Sequence, residues 1–135
     1  MMEIREYGRY AEAEILDLYA RVGWTNYTAD PQMLRCAYEN SLLVLGAYEA
    51  EKLIGIIRVV GDGASIVYVQ DIIVHPDFQR RGIGTQLMRA VLALFADVYQ
   101  MVLCTDDTEK TKAFYRSLGF RDMSAMGCCA FMRMR

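Results

Sequence analysis

Two arginines run directly into two closely spaced glycines in the stretch FQRRGIGTQL, residues 78–87. An apolar strand-like segment ends just before it, and an apolar helical pattern begins at once after it. The first turn of a helix presents unpaired N–H groups and the positive end of the helix dipole, which together attract anions. Gly82 and Gly84 permit unusual dihedrals and leave the backbone open to a ligand, while Arg80 and Arg81 add positive charge. The stretch therefore predicts a phosphate or pyrophosphate site.

The common phosphate motifs do not fit this spacing. A Walker A loop requires G-x-x-x-x-G-K-[ST], which is absent, and the dinucleotide fingerprint requires a small residue where Leu87 stands. Because arginine binds any phosphate, the motif alone leaves three interpretations open. These are a nucleotide phosphate, another phosphorylated cofactor, and a plain tight turn with solvated arginines.

The composition is that of an ordinary globular domain. The chain has 135 residues, of which 54% are hydrophobic and 24% charged, with a formal net charge of −2. We therefore expect one domain over residues 1–135, and no nucleic-acid or membrane partner. No signal peptide and no apolar run of about 20 residues is visible, so we expect a cytoplasmic location.

The cysteines and the histidine give no metal-binding pattern. Four cysteines and one histidine are present, and no C-x-x-C spacing occurs. We therefore expect no metal, and four reduced thiols of which some fill the core. His75, which precedes a proline, is expected at the surface.

The segments around the arginine–glycine stretch indicate a mixed α/β sheet. Helices are predicted at 11–22, 31–39, 84–98 and 109–118 from apolar spacing, with Asp30 as an N-cap and Gly119 as the terminating glycine. Strands are predicted at 3–6, 41–49, 52–60, 64–74 and 100–106, with two more after Gly119. The three long central strands favour an antiparallel meander.

Two stretches together carry a family resemblance. VHPDFQRRGIGTQLM resembles the acyl-coenzyme A loop of the GNAT N-acetyltransferase superfamily, whose pattern Q/R-x-x-G-x-G/A reads here from Gln79 to Gly84. TEKTKAFYRSLGF, residues 108–120, is similar to a second family signature, near N-x-x-A-x-x-F-Y-x-x-x-G-F. The order of elements matches the family along nearly the whole chain. Plant plastid members also share VGW-like, GDG and FYR.LGF stretches with it.

The resemblance implies a fold and a cofactor site. The fold is a GNAT-type mixed, mostly antiparallel central sheet flanked by four helices, with a splayed strand pair that binds acyl-coenzyme A. Loop amides would hold the pyrophosphate, and the strand before the loop would pair with the pantetheine arm as an added strand. The implied cofactor-binding residues are Ile72, Ile73, Val74, Gln79, Arg80, Arg81, Gly82, Ile83, Gly84, Thr85, Thr108, Lys112 and Tyr115. Thr108 stands at the family's asparagine and Thr111 at its alanine, which weakens the expected contact there.

The resemblance also implies the chemistry. Acetyl-coenzyme A would be the cosubstrate, and a primary amine would attack it directly in a ternary complex. Tyr115 would protonate the departing thiolate, although it could be only a core aromatic. Asp71 is the sole carboxylate on the strand before the loop and is the candidate base, with a water chain as the alternative. Alternation along that strand places Asp71 on the opposite face from Tyr68 and Gln70.

The acceptor remains open at the level of sequence. Trp24, Tyr27, Tyr68 and Gln70 are the candidate substrate-binding residues, although Trp24 could equally pack a helix on the sheet. A small amine and a protein lysine both fit as partners, and the methionine-rich end CCAFMRMR would allow a homodimer. An acyl-cysteine route through Cys104 is set aside because that thiol is expected inside an apolar strand. The alternative function is a non-catalytic acyl-coenzyme A-binding regulatory module.

Overall fold

The computed structural model describes residues 1–135, whose helices and strands follow the predicted order over most of the chain. They are β1 (Met2–Glu6), α1 (Glu12–Arg21), α2 (Thr25–Thr28), α3 (Pro31–Glu39), β2 (Leu43–Glu49), β3 (Lys52–Gly61), β4 (Ile66–Val74), α4 (Ile83–Leu94), β5 (Gln100–Leu103) and α5 (Glu109–Ser117). Two 3₁₀ turns lie at Pro76–Phe78 and Met123–Met126. The chain forms two compact units, Met1–Cys104 and Thr105–Arg135.

The first unit is built on a five-stranded sheet in the order β1-β2-β3-β4-β5. The first four strands are antiparallel neighbours, and β4 pairs with β5 in parallel. The predicted mixed, mostly antiparallel sheet is therefore confirmed. The four predicted helices are also present, and the loop expected between the first two contains the one-turn helix α2.

Helices α1 and α3 pack on one face of this sheet. Their buried side chains, Ile15, Leu18 and Tyr19 from α1 and Leu34 and Tyr38 from α3, form a cluster with Ile56 of β3 and Ile73 of β4. Helix α3 begins as the sequence predicts, because the Asp30 carboxylate accepts the Met33 N–H at 3.1 Å. Such a cap stabilises a helix by about 1 kcal/mol.

Helix α4 packs on the opposite face, where its approach requires a small residue on β3. A Cβ added to Gly55 would lie 3.0 Å from the Ile73 carbonyl oxygen and 3.5 Å from both Ile83 and Leu87 of α4. The glycine in KLIGIIRVV thus lets the first turn of α4 come close to the strands.

The turn between β2 and β3 is a two-residue loop. Ala50 has φ +50° and Glu51 has φ +66°, and Glu49 pairs directly with Lys52. Positive φ at both central residues is the geometry of a type I′ turn, which matches the twist of the paired strands. Neither residue is of the type that usually adopts this geometry.

A β-bulge interrupts β4, so the alternation of side chains predicted along this strand is wrong at that point. Arg58 of β3 lies opposite Asp71, but the next residue, Val59, lies opposite Val69, so Gln70 is an extra residue in β4. The extra residue shifts the alternation, so that Asp71, opposite Arg58, lies on the same face as Tyr68, opposite Val60. Asp71 therefore does not lie on the face opposite Tyr68 and Gln70, because the simple period of two fails at this point.

Several burial predictions are wrong. All four cysteines are exposed, and Cys104 follows the end of β5 rather than lying inside a strand. His75 is only 3% exposed, because its backbone N–H bonds the Ile54 carbonyl at 2.8 Å and holds it at the end of the sheet.

No helix in the structure is long and apolar enough to cross a membrane.

The second unit contains α5 and the C-terminal segment. Helix α5 ends as predicted, with Gly119 at φ +94° and its N–H bonded to the Arg116 carbonyl. The two strands expected after Gly119 are not formed. Residues 128–135 are neither helix nor strand and are exposed, with Phe131 at 93%. The apolar residues there have the composition of a strand, but they pack against nothing that would bury them.

Candidate functional site

The arginine–glycine stretch forms a tight loop that leads into the N-terminus of α4. Arg80 and Gly82 both have positive φ, at +68° and +75°, and the helix begins at Ile83. The first internal hydrogen bond runs from the Gln86 N–H to the Gly82 carbonyl at 3.0 Å. The amides at residues 83–85 precede this bond, and no side chain caps them. The loop therefore presents free N–H donors and the positive end of α4 together.

Gly82 has a left-handed dihedral that favours glycine. A Cβ added there would meet nothing within 4 Å, but φ is +75°, a region that costs an L-residue about 1–2 kcal/mol. Of the two roles that the sequence suggests for this glycine, the structure shows the conformational one. Gly84 lies inside the first turn of α4.

The two arginines differ in their surroundings. The Arg81 guanidinium lies 3.5 Å from the Glu49 carboxylate and 5.0 Å from the Phe78 ring centroid, so it braces the loop against the end of β2. Arg80 is exposed and holds a strained backbone conformation. Arg80 is therefore the more available positive charge at this loop.

The loop entrance is fixed to the end of β4. The Gln79 side chain donates to the Val74 carbonyl at 3.1 Å, and the His75 Nδ1 accepts the Asp77 N–H at 3.1 Å. The His75 ring packs edge-on against Phe78 at 5.4 Å. His75 was expected at the surface but is buried beside this loop. Its position directly before the proline that opens the loop was the sequence feature that could have indicated this.

The pairing of β4 with β5 ends before β4 does. The last parallel pair is Val69 with Leu103, whereas β4 continues to Val74. Residues 70–74 therefore have no strand partner on the β5 side. A free strand edge of this kind pairs with an extended ligand through main-chain hydrogen bonds. The predicted splaying of the two strands stays a prediction, because β5 itself ends at Leu103.

The four predicted substrate-binding residues come together beside this opening. The Gln70 amide donates to the Tyr27 hydroxyl at 3.2 Å, and the Trp24 and Tyr27 rings lie 6.3 Å apart. Burial and a hydrogen bond with Cys104 raise the pKa of Tyr68 to about 12, and Tyr27 also contributes to this shift. Trp24 also packs on Tyr19, as its alternative role predicts, and its contact with a substrate stays a prediction. The result is a wall of aromatic rings with neutral polar groups.

Asp71 lies behind this wall in a buried polar network. Its Oδ2 accepts from the Arg58 Nε and from the Tyr19 hydroxyl, both at 2.8 Å. The Tyr19 and Tyr38 hydroxyls lie 3.0 Å apart, and the Arg58 Nη1 donates to the Ser41 hydroxyl at 3.3 Å. Asp71 and Arg58 are 2% and 4% exposed. The carboxylate is thus already shared between a guanidinium and a phenol.

Charge and burial shift the ionisation of this network. Burial alone would lower the pKa of Arg58, but the Asp71 carboxylate reverses this and the pKa is raised. Burial raises the pKa of Tyr19 far above its usual range, so its hydroxyl stays protonated and donates. Arg58 was missed in the sequence, although a lone arginine in the apolar strand KLIGIIRVV signals a buried charge that needs a partner.

The second unit contains the remaining predicted residues. Tyr115 on α5 is partly buried between Phe114 and Phe120, with ring centroids at 5.0 and 5.9 Å. Burial raises its pKa despite an opposing hydrogen bond with Thr105, so the phenol is protonated at neutral pH. Thr108 caps α5 by accepting the Thr111 N–H at 3.3 Å.

Lys112 of α5 is engaged within the second unit. Its Nζ lies 2.6 Å from the Asp107 carboxylate, which raises the pKa of the lysine.

The structure contains no group of three histidine, cysteine, aspartate or glutamate side chains that could hold a metal ion.

Comparison with known proteins identifies the family of this chain. The profile of the acetyltransferase (GNAT) domain matches residues 40–122. An uncharacterized ycf52-like N-acetyltransferase of Prochlorococcus marinus is 31% identical over 124 residues, which are 87% of this chain and 67% of that protein. The chain spans between about half and two thirds of the length of the curated relatives it matches.

Solved structures agree with this match. A GNAT-family acetyltransferase of Streptococcus pneumoniae superimposes with a TM-score of 0.90 at 41% identity, covering 100% of this chain and 98% of that one. An aminoglycoside N-acetyltransferase in complex with coenzyme A shares the fold, with a TM-score of 0.71 at 21% identity, covering 100% of this chain and 95% of that one. The chain belongs to the GNAT superfamily of acetyl-coenzyme A-dependent N-acetyltransferases.

Proposed function

We propose that this domain transfers an acetyl group from acetyl-coenzyme A directly to a primary amine in a ternary complex. The observation that carries the proposal is the conjunction, in one unit, of the amide-lined loop at residues 79–85 with a strand edge that is free over residues 70–74. The loop provides donors for a pyrophosphate. The edge provides main-chain groups for an extended amide-containing arm.

The chain's own groups would bind and orient the cosubstrate. Acetyl-coenzyme A supplies the thioester. Backbone amides at residues 81–85 would hold its phosphates, and main-chain groups at residues 72–74 would hold the pantetheine arm. A backbone N–H near Val74 would meet the negative charge that develops on the thioester oxygen, which is worth several kcal/mol when it is preorganised. The bond from Gln79 to the Val74 carbonyl would keep this strand end in place.

Tyr115 would act as the proton donor to the departing thiolate. Two features support this role: its place in the second family signature and a raised pKa that keeps its hydroxyl protonated. General acid catalysis requires a protonated group at the working pH. Thr108 and Lys112, which already have partners inside the second unit, would contribute to cofactor binding less than the loop does.

The acceptor would be a small-molecule amine or a lysine side chain that rests on Trp24, Tyr27, Tyr68 and Gln70. An ammonium group has a pKa of about 10 and must lose a proton before it attacks. Asp71 is tied to Arg58 and Tyr19, so we propose that water takes this proton in place of the Asp71 carboxylate.

The test is release of free coenzyme A thiol, measured with a thiol reagent, while acetyl-coenzyme A is incubated with a panel of amines and lysine peptides. We expect saturable, amine-dependent release, and mass spectrometry should find an acetylated amine. Tight acetyl-coenzyme A binding without turnover of any amine would contradict the transferase and favour the regulatory module instead. Competition by ATP as strong as that by coenzyme A would favour a nucleotide-phosphate protein.

A further inference from the structure

We propose that Arg58 and Asp71 are positioning residues of the acyl-coenzyme A site. Their buried ion pair sets the β-bulge at Gln70, and the bulge opens β4 away from β5. The inference rests on the proposed function, because it assumes that the pantetheine arm lies along the opened edge of β4. Neither residue would touch the reacting atoms.

The ion pair and the apolar residues demand different registers of β4. With Arg58 opposite Asp71 and no bulge, Val69 would lie opposite Val60, and its side chain would leave the face that α4 covers. With Val69 opposite Val59 and no bulge, Asp71 would lie opposite Ile57 and its carboxylate would enter an apolar layer. A slip of one residue moves every side chain to the other face. One extra residue satisfies both demands, and the structure places it at Gln70.

The bulge coincides with the point where the pairing of β4 with β5 ends. The last β4–β5 pair ends at Val69, and the extra residue Gln70 follows immediately. The bulge turns the Gln70 side chain to Tyr27, where it donates a hydrogen bond at 3.2 Å. Bulges bend a strand, increase its twist and end regular pairing, and they recur beside active sites. The bulge therefore affects the position of both the unpaired edge of β4 and the Gln70–Tyr27 pair.

Stability alone accounts poorly for this pair. Two charges inside a core pay a large desolvation cost, and apolar residues of similar volume often stabilise a fold as well or better. Yet Arg58 and Asp71 are among the least exposed side chains of the first unit, and Tyr19 adds a third contact to the same carboxylate oxygen. Register is the best-supported use of such buried polar groups.

The test uses the double variant Arg58→Met/Asp71→Leu, which leaves no buried charge unpaired. Binding of coenzyme A is compared with binding of 3′-phosphoadenosine 5′-diphosphate, which has the phosphates but no pantetheine arm. We expect the double variant to remain folded by circular dichroism and to bind coenzyme A about tenfold or more weakly, the loss of one or two hydrogen bonds. Affinity for the nucleotide should stay unchanged, because the loop at residues 79–85 is intact.

Two further variants keep the test decisive. If the double variant fails to fold, Asp71→Asn replaces it, because this change keeps the shape of the side chain and removes its charge. It should weaken binding of coenzyme A and leave the affinity for the nucleotide unchanged. Asp17→Asn removes an exposed ion pair of the same 2.8 Å length, with Arg21, and should change neither affinity.

Three results would overturn the proposal. One is a folded double variant with wild-type affinity for coenzyme A. Another is an equal loss for both ligands, which would place the effect outside the strand edge. The third is a wild-type protein that binds coenzyme A no more tightly than the nucleotide, so that no arm is held along β4. Normal arm-dependent binding without amine turnover would instead count against the proposed function alone.

Discussion

Tyr115 and Asp71 show how burial can assign opposite tasks to two ionisable groups. Tyr115 is partly buried beside aromatic rings, and burial raises the pKa of its phenol, so that it keeps its proton at neutral pH. Asp71 is buried against a guanidinium, which satisfies its negative charge. A retained proton can be donated, whereas a paired charge is better suited to holding a position.

Tyr115→Phe should lower kcat about 100-fold, because the phenol is the proposed acid and general acids contribute at least this much. The dissociation constant of coenzyme A should change far less than kcat. On the alkaline side, the wild-type kcat should fall as pH rises through the raised Tyr115 pKa, where the donor loses its proton. Stopped-time assays over the pH range and isothermal titration of coenzyme A check these outcomes. An unaltered kcat in the variant would remove Tyr115 from the chemistry.

At the scale of single elements, the loop before α4 depends on backbone conformation. Gly82→Ala should weaken coenzyme A binding about tenfold, since a side chain at φ +75° costs about 1–2 kcal/mol and the loop will relax away from it. Gly8→Ala is the matched control, because that glycine also has nothing within 4 Å and its φ is not positive. Equal affinities for the two variants would show that the loop conformation is not what binds the phosphates.

The turn between β3 and β4 depends on one carboxylate. Asp62 accepts the N–H groups of Ala64 and Ser65 at 2.8 Å and of Ile66 at 3.1 Å. The Ser65 hydroxyl and these amides hold the pKa of Asp62 well below its usual range. A lowered pKa gives stability that is present above the unfolded pKa of about 4 and is lost as pH falls.

Asp62→Asn should therefore be less stable than wild type at pH 7, and the difference should narrow as the pH falls below about 4. Urea unfolding at a series of pH values measures it. The same change at exposed Asp97 should leave the free energy of unfolding within about 0.5 kcal/mol of wild type. A difference at Asp62 that is independent of pH would mean that its carboxylate charge does not support the turn.

At the scale of the whole molecule, ligand binding should raise stability. Acetyl-coenzyme A at about 100 times its dissociation constant should add about 2.7 kcal/mol to the free energy of unfolding. Thermal melts with and without it should separate accordingly, and ATP at the same concentration should raise the melting temperature less. Equal effects of ATP would point to a site that reads only phosphates.

Most of the fold could be predicted from the sequence, because its signals are local. Apolar spacing located the helices, and Asp30 and Gly119 marked helix ends that the structure confirms. The bulge at Gln70 could not be predicted, since it arises from a conflict between Arg58 and the valines of β4 that depends on strand register. The strands expected after Gly119 failed because strand composition alone does not provide a partner strand.

The site was predicted unevenly for the same reason. The loop at residues 79–85 and the aromatic residues Trp24 and Tyr27 are visible as types and spacings. The exposure of Cys104 depends on where β5 ends, which the sequence does not mark, and the burial of His75 depends on its hydrogen bond to Ile54 of the neighbouring strand. A buried arginine on an apolar strand was the overlooked signal, and it would have directed attention to Asp71 as its partner.

The tight turn at Ala50 and Glu51 leaves room for adaptation. Both residues adopt left-handed conformations, at φ +50° and +66°, which asparagine and glycine reach at lower cost. Ala50→Asn/Glu51→Gly should therefore raise the melting temperature, a gain that differential scanning calorimetry would register. Such a gain in stability would let the protein absorb a destabilising change elsewhere, for example at Trp24 or Tyr27.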